Sequence, residues 1–386
     1  MPTTAAACEH SARAAGDWLA AQLIDGGLAS LGFDDLYKVV YALALDGKVA
    51  LANEVLDHIV RIAGTDEPGN FSPAPTSPPD FASVMLWYRH AVLLMGASQL
   101  GRWDVASPAA MDALAAQIVD VGGGCGGVGI DGFLLVCPSA MIGLVLLRNG
   151  RTRDATRLGR FFMKLWASDK SQFNMMWDAN AGDIVTDANA PAWLRGRSVV
   201  YVVKPGLERQ HFYATGIAAA LLSELYAATG ERSFLVAAAE LVAFDTTCRW
   251  EGGAKLWPSK CKVAWGAACL LRFGLDELLQ PASGLALSAR AVAEHTAAVA
   301  QHCFLDNQHA SGHYGPFHFP VCDRLVERLP AGTIHWEPAQ ATACGATLGD
   351  DYFVGSEIEL AAEYIYELYI VSRGLAVVAG APRSRL

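Results

Sequence analysis

The apolar residues of this chain fall into six long blocks. They read DDLYKVVYALAL from Asp34, DFASVMLWYRHAVLLMGASQL from Asp80, DGFLLVCPSAMIGLVLL from Asp131, QHFYATGIAAALLSELYAA from Gln210, SKCKVAWGAACLLRF from Ser259 and SEIELAAEYIYELYIVSRGL from Ser356. Each is preceded by a block with one apolar and one polar face, at about 5–23, 49–62, 107–119, 154–166, 233–248 and 288–303. A run of good helix formers that is apolar all round predicts a helix enclosed by others, whereas a one-sided pattern predicts a helix at the surface. The stretch 209–230 is the most pronounced case: from Phe212 to Ala228 its main late polar exceptions are Ser223 and Glu224, and Arg209, Gln210, His211 and Tyr213 crowd its first turn.

The connections alternate in length. An apolar block passes to the next amphipathic one through a short turn: Asp46-Gly-Lys, Gly101-Arg-Trp-Asp, Asn149-Gly-Arg-Thr, Thr229-Gly-Glu-Arg and Gly274-Leu-Asp. The return connections are long: 64–79 with five prolines, the glycine cluster 122–129, 167–209 and 304–355. Six helical hairpins with apolar members inside predict an all-α fold, a single (α/α)6 toroid spanning 1–386 as one domain. The insertions 168–209 and 304–355 would then form its mouth or lid, since long loops at one end of a rigid scaffold are where sites lie. Inner-helix N-termini would aim free N–H groups and positive dipole ends into that mouth. An open solenoid of twelve helices is the alternative, but solenoid repeats are more uniform and carry more surface charge.

The composition fits a large enclosed core, with 53% hydrophobic and 18% charged residues. No apolar run reaches the roughly 18 to 20 residues of a membrane span, and residues 1–13 lack the basic-then-apolar pattern of a secretion signal. A net charge of -10 without a basic stripe argues against nucleic acid and anionic membrane as partners. Nine scattered cysteines without a Cys-x-x-Cys pair read as free thiols of a cytoplasmic protein.

Three motifs, Tyr37-Lys-Val-Val-Tyr-Ala-Leu-Ala-Leu, Gly216-Ile-Ala-Ala-Ala-Leu-Leu and Lys262-Val-Ala-Trp-Gly-Ala-Ala, resemble uncharacterised toroid proteins of microbial biosynthetic clusters. Over its whole length the hairpin grammar resembles the α/α-toroid superfamily, which holds terpenoid cyclases, linalool dehydratase-isomerase and six-hairpin glycosidases and sugar epimerases. The resemblance implies a fold rather than an activity. A squalene-type cyclase would need Asp-x-Asp-Asp, which Gly32-Phe-Asp-Asp35 is not. A diphosphate-ionising synthase would need Asp-Asp-x-x-Asp, and Asp34-Asp35-Leu-Tyr-Lys38 and Asp350-Asp351-Tyr-Phe-Val354 both fail at the fifth position.

The candidate chemistry sits at the starts of the apolar blocks. Asp34, Asp35, Tyr37 and Lys38 open the first, and Asp80 the second with Tyr88 and His90 beyond. Asp131 opens the third above Cys137 and Ser139, and Gln210, His211 and Tyr213 open the fourth. Lys260 and Lys262 open the fifth, with Trp265 one turn on, and Glu357 and Glu359 the sixth. Capping explains Asp34, Asp80, Asp131, Ser259 and Ser356; it explains the groups just inside the helices less well.

A second candidate is the loop carrying His302, His309, His313, His318 and His335. Its glycines and Pro316 break any helix that would bring His309 and His313 together as metal ligands, so a lid with His313 or His318 facing the cavity is a better reading than a metal site, with plain surface histidines the leading alternative to both. Gly122-Gly-Gly-Cys-Gly-Gly127 matches Gly-x-Gly-x-x-Gly formally, but a helix rather than a strand precedes it, and a flexible lip of the mouth is expected instead of a dinucleotide site.

These residues point to a cofactor-independent cyclase, isomerase or hydro-lyase working by general acid–base catalysis on a small, largely apolar metabolite, with neither metal nor cofactor. In this scheme His211 or His313 is the base and Asp35 or Glu359 the acid; Tyr37, Lys38, Tyr88, Tyr213, Lys262, Trp265 and His318 hold the substrate. A six-hairpin epimerase or glycosidase and a non-catalytic ligand-binding toroid are the alternatives. The outer surface is compatible with a homo-oligomer.

Overall fold

The computed structural model describes residues 3–25, 27–63, 67–71, 85–207, 210–248, 260–273, 275, 287–315, 317–328, 338–343, 345–348 and 352–380. The helix starts expected at Asp80 and Ser259, the proline-rich segment 72–79, Arg209 and His335 lie outside them.

Helices dominate. The apolar blocks form the helices Val39–Leu45, Leu86–Gln99, Val136–Arg148, Tyr213–Thr229, Cys261–Leu270 and Glu357–Val378. The amphipathic blocks form Ala5–Asp25, Val49–Ala63, Pro108–Ala116, Thr152–Ser168, Arg232–Thr247 and Ala289–Cys303. Val136–Arg148 is buried without interruption from Val136 to Leu146, whereas Thr152–Ser168 buries only one stripe, through Ala155, Leu158, Phe162 and Leu165. Each leucine or valine fully withdrawn from water contributes about 1.5–3 kcal/mol, so the apolar helices carry most of the driving force.

The order of contacts is simple. Val39–Leu45 packs on Leu86–Gln99, which packs on Val136–Arg148, then Tyr213–Thr229, then Cys261–Leu270, then Glu357–Val378, which returns to Val39–Leu45. The amphipathic helices lie against this series: Ala5–Asp25 on Glu357–Val378, Val49–Ala63 on Val39–Leu45, and Arg232–Thr247 on Tyr213–Thr229. One continuous core runs through all six apolar helices. Tyr213–Thr229 and Cys261–Leu270 approach most closely at Gly216 and Gly266, where a Cβ on either would strike the backbone of the other helix. That crossing fixes Lys262, whose carbonyl lies over Gly216.

Caps are used where the sequence offers them. Ser107, Ser288 and Ser356 each accept a backbone N–H three residues on, and Gly230 closes Tyr213–Thr229 in the left-handed conformation. Two expected caps are not caps. Asp34 lies inside the short helix Phe33–Leu36, whose N-cap is Gly32, and its carboxylate bonds Arg89 at 2.6 Å. Asp131 sits at φ 51° in the turn between two strands.

Those strands correct the all-α expectation. Val119–Gly122 (β1), Cys125–Ile130 (β2), Phe133–Leu135 (β3), Met176–Asp178 (β5) and Asp183–Ile184 (β6) form an antiparallel sheet in the order β1-β2-β3-β5-β6. Phe173–Asn174 (β4) pairs with Val202–Val203 (β7), and Phe317–Pro320 (β8) with Tyr352–Gly355 (β9). The residues Phe133-Leu-Leu, read as the opening of a helix, are a strand: a short apolar run suits either state, and here β2 and β5 supply its hydrogen-bond partners. The glycine cluster is correspondingly not a flexible lip but the β1–β2 hairpin, with Gly122, Gly123 and Gly124 all at positive φ in its turn and β2 lying on Thr152–Ser168. Met176–Asp178 of the first insertion thus pairs with Phe133–Leu135, and otherwise each insertion pairs its strands within itself, as chain lying on an apolar core must. Beneath the first, Met176, Val185, Leu194, Val200 and Tyr201 form a satellite cluster.

Candidate functional site

The starts of the apolar helices meet in a buried, charged network. Glu357–Val378 presents Glu359, Glu363 and Glu367 on three successive turns, since residues four apart share a helix face. Their side chains are 21%, 7% and 0% exposed, so the row descends from the rim into the interior. Two lysines are threaded between them. Lys38, at the start of Val39–Leu45, bonds Glu359 Oε1 at 2.8 Å and also Glu363 Oε2. Lys262, in the first turn of Cys261–Leu270, bonds the other oxygen of Glu363 and stands 3.5 Å from Glu367 Oε1. Tyr37 continues the chain outward, donating its hydroxyl proton to Glu359 Oε1 at 2.6 Å.

The remaining helices supply the surroundings. The Lys262 ammonium lies 5.8 Å from the ring centre of Tyr88, on Leu86–Gln99, and 5.6 Å from that of Tyr213. Tyr213 stacks on the buried His211, whose Nδ1 is 3.2 Å from its hydroxyl. Cys137, at the start of Val136–Arg148, feels the Lys262 charge, although burial outweighs it and pushes the thiol up to about 12. Trp265 meets Tyr366 edge-on at 5.9 Å and forms part of the apolar wall.

Ionisation follows from this arrangement. Burial pushes Glu359 upward, but the Lys38 charge, the hydrogen bonds from Lys38 and Tyr37, and Arg89 together bring it below the ordinary carboxylate value. Burial pulls Lys38 down, and Glu359 with its neighbours reverses that and holds the ammonium well above its usual range. Glu367 goes the other way: burial raises it, and Lys262 and Lys38 offset this only in part. Neither Glu367 oxygen accepts a well-formed hydrogen bond among the described residues, and the hydroxyls of Tyr88 and Tyr366 are likewise unpartnered there. Three carboxyls against two ammonium groups leave one acid over, and Glu367 is the one held least.

The expected site residues divide. Tyr37, Lys38, Tyr88, Tyr213, Lys262, Trp265, His211 and Glu359 come together. Asp35 does not join them: its Oδ2 accepts the Gly32 N–H at 3.3 Å and caps its own helix. His313 lies elsewhere, stacked 4.1 Å from His309 and 5.5 Å from Trp18 of Ala5–Asp25, with Nδ1 2.7 Å from Ser311 Oγ. His318 falls on β8 as His318↔Val354, and its side chain is outside the described residues. Lys260 faces a different partner, Asp245 at 3.4 Å, which also meets His295 Nε2 at 3.0 Å.

Sequence reasoning missed Glu363, Glu367 and Cys261. The signal was present in the spacing Glu359-x-x-x-Glu363-x-x-x-Glu367 within a helix otherwise apolar on that face. Cys261 Sγ and an oxygen from each of Glu363 and Glu367 lie within 4.8 Å of one another. Such a sulfur–oxygen set suits a divalent transition metal, but here the Lys262 ammonium bonds the same Glu363 oxygen and supplies the positive charge. Neither a protein-family model nor a curated protein matches this chain.

Proposed function

We propose that the six hairpins close into an (α/α)6 toroid and that the protein is a cofactor-independent acid–base enzyme of the cyclase, isomerase or hydro-lyase type, acting on a small, largely apolar metabolite. The cyclic order of helix contacts supports the ring. The observation that carries the activity is Glu367, a wholly buried carboxyl left over after two lysines have matched two of three glutamates. A binding protein has no need of an unmatched acid in its interior, whereas proton transfer requires a group poised between its two states. The non-catalytic alternative would fit a network in which every charge is matched.

In this reading Glu367 delivers the proton, Lys262 and Glu363 return one to it, and Lys38, Glu359 and Tyr37 lead toward the rim. His211, bonded to Tyr213, is the base. Asp35 and His313 have no part in it. The test is incubation of the protein with a small-molecule extract, followed by mass spectrometry for substrate and product pairs of equal mass or differing by water. Glu367→Gln keeps the shape and removes the transferable proton, so such pairs should form about 10²-fold more slowly or less. Pairs that form equally fast with the variant, or none with the wild type, would refute the reading.

A further inference from the structure

Among the interior polar groups without a hydrogen-bond partner in the described residues, three adjoin one another: the Tyr88 hydroxyl, the Tyr366 hydroxyl and the Glu367 carboxyl. Their residues are 3%, 0% and 0% exposed. Lys262 ties them together, its ammonium 5.8 Å from the Tyr88 ring centre and 3.5 Å from Glu367 Oε1. Tyr366 is the helix neighbour of Glu367, and its hydroxyl is near enough to that of Tyr88 for each to perturb the other's ionisation. No well-formed hydrogen bond joins the two. Leaving a buried polar group unmatched costs about 1–3 kcal/mol, and three such groups side by side imply something that normally lies between them. Tyr366 is packed by aromatic rings: Trp265 meets it at 5.9 Å and the Tyr41 ring lies 5.2 Å from it.

We propose that Tyr88, Tyr366 and Glu367 form a receiving site for a single oxygen of an otherwise apolar ligand, a ketone or its enol. Two phenolic hydroxyls offer two O–H donors, and the carboxyl, whose burial favours its protonated form, offers a third when it holds its proton. A carbonyl oxygen uses two lone pairs, and an enolate oxygen draws more strongly on every donor it meets. Tyrosine beside a neutral carboxylic acid is an arrangement that stabilises an oxyanion in an apolar site. The other surrounding charges are Lys262 on Cys261–Leu270, Lys38 beside Val39–Leu45 and Glu363 one turn back on the Glu367 helix, and the first two favour negative charge on the bound oxygen. This assignment deepens the acid–base reading by naming the substrate class, but its test needs no turnover.

The probes are 2-naphthol and naphthalene, which share an apolar body and differ by one oxygen, titrated calorimetrically into the full chain. In the wild type 2-naphthol should bind at least about 10-fold more tightly than naphthalene. In the Tyr88→Phe, Tyr366→Phe double variant, which keeps only Glu367 of the three, the difference should fall to less than about 3-fold while naphthalene binding persists. Because neither hydroxyl has a hydrogen-bond partner among the described residues, each single variant should melt no lower than the wild type, which separates lost recognition from lost folding. Equal binding of the two probes, binding of neither, or a difference undiminished by the double substitution would overturn the proposal and leave a structural water as the occupant. If the naphthol preference appears but no product pairs do, the site stands and the catalytic reading falls.

Discussion

Lys262 gives its hydrogen bond to Glu363 and stands 3.5 Å from Glu367, one turn deeper on the same helix. One cation thus faces two carboxyls, and it holds the outer one as a partner and the inner one only as a neighbour. The alternation Glu359, Lys38, Glu363, Lys262, Glu367 is a ladder with its loose end inside.

Glu363 is the rung both lysines share, one oxygen to each. Glu363→Leu should destabilise the fold by about 3–5 kcal/mol, because removing one member of a buried ion network strands the others. Urea midpoints at neutral pH check this, and a loss under 1 kcal/mol would mean that the lysines find other partners.

Glu367 should behave oppositely to a salt-bridged acid. Its ionisation is raised in the fold by burial, so between the ordinary carboxylate value near 4.5 and its own higher value the native state holds a proton that the unfolded chain has released. Stability due to this group is therefore present at low pH and lost as pH rises through that window. The difference in stability between wild type and Glu367→Gln, followed from pH 4 upward, should shift steadily in favour of the variant. A flat difference would show that folding does not raise the ionisation of Glu367.

His90 predicts an acid-sensitive point outside the ladder. It is completely buried among Phe33, Phe71 and Trp87, with neither ring nitrogen hydrogen-bonded among the described residues. Burial, helped by the Arg89 charge, lowers it to about 4. The unfolded chain then binds a proton near pH 6.5 that the native state refuses. Stability is full above that value and falls as pH drops toward 4, by up to about 3 kcal/mol. His90→Leu should remove this slope and leave neutral-pH stability unchanged or higher. The comparison is of unfolding midpoints at pH 7 and pH 4.5, and a slope equal to that of the wild type would refute the assignment.

Gly216 and Gly266 hold two helices in backbone contact. Alanine at either should cost about 1–3 kcal/mol or more despite its better helix propensity, because the added carbon must push the helices apart. It should also displace Lys262, so Gly216→Ala should weaken any ligand that depends on the ladder. Unchanged thermal melting in both variants would show that the crossing has slack.

The legible part of this protein follows from patterning. Residues 213–229 declare an enclosed helix because Gly216–Leu222 is apolar on every side, and 152–168 declare a surface helix because their apolar stripe recurs every three or four positions. Tyr37, Lys38, Lys262 and Glu359 stand out in the sequence because polar groups just inside apolar helices need partners. Glu363 and Glu367 lay one and two turns further along the same face, but as isolated acids in a long helix they resembled ordinary surface residues.

The sequence by itself determined which segments are helices, which of those are enclosed, and that their first turns carry the ionisable groups, because helix formation and burial are written in local periodicity. Only the tertiary structure decided that Lys38 and Lys262 share one carboxylate, that His313 stacks against Trp18, and that Phe133-Leu-Leu is a strand. Those outcomes depend on partners hundreds of residues away for the ladder and dozens for the strand. No local pattern specifies which distant group will be within 3 Å, and it is that proximity that sets the charge on a buried acid.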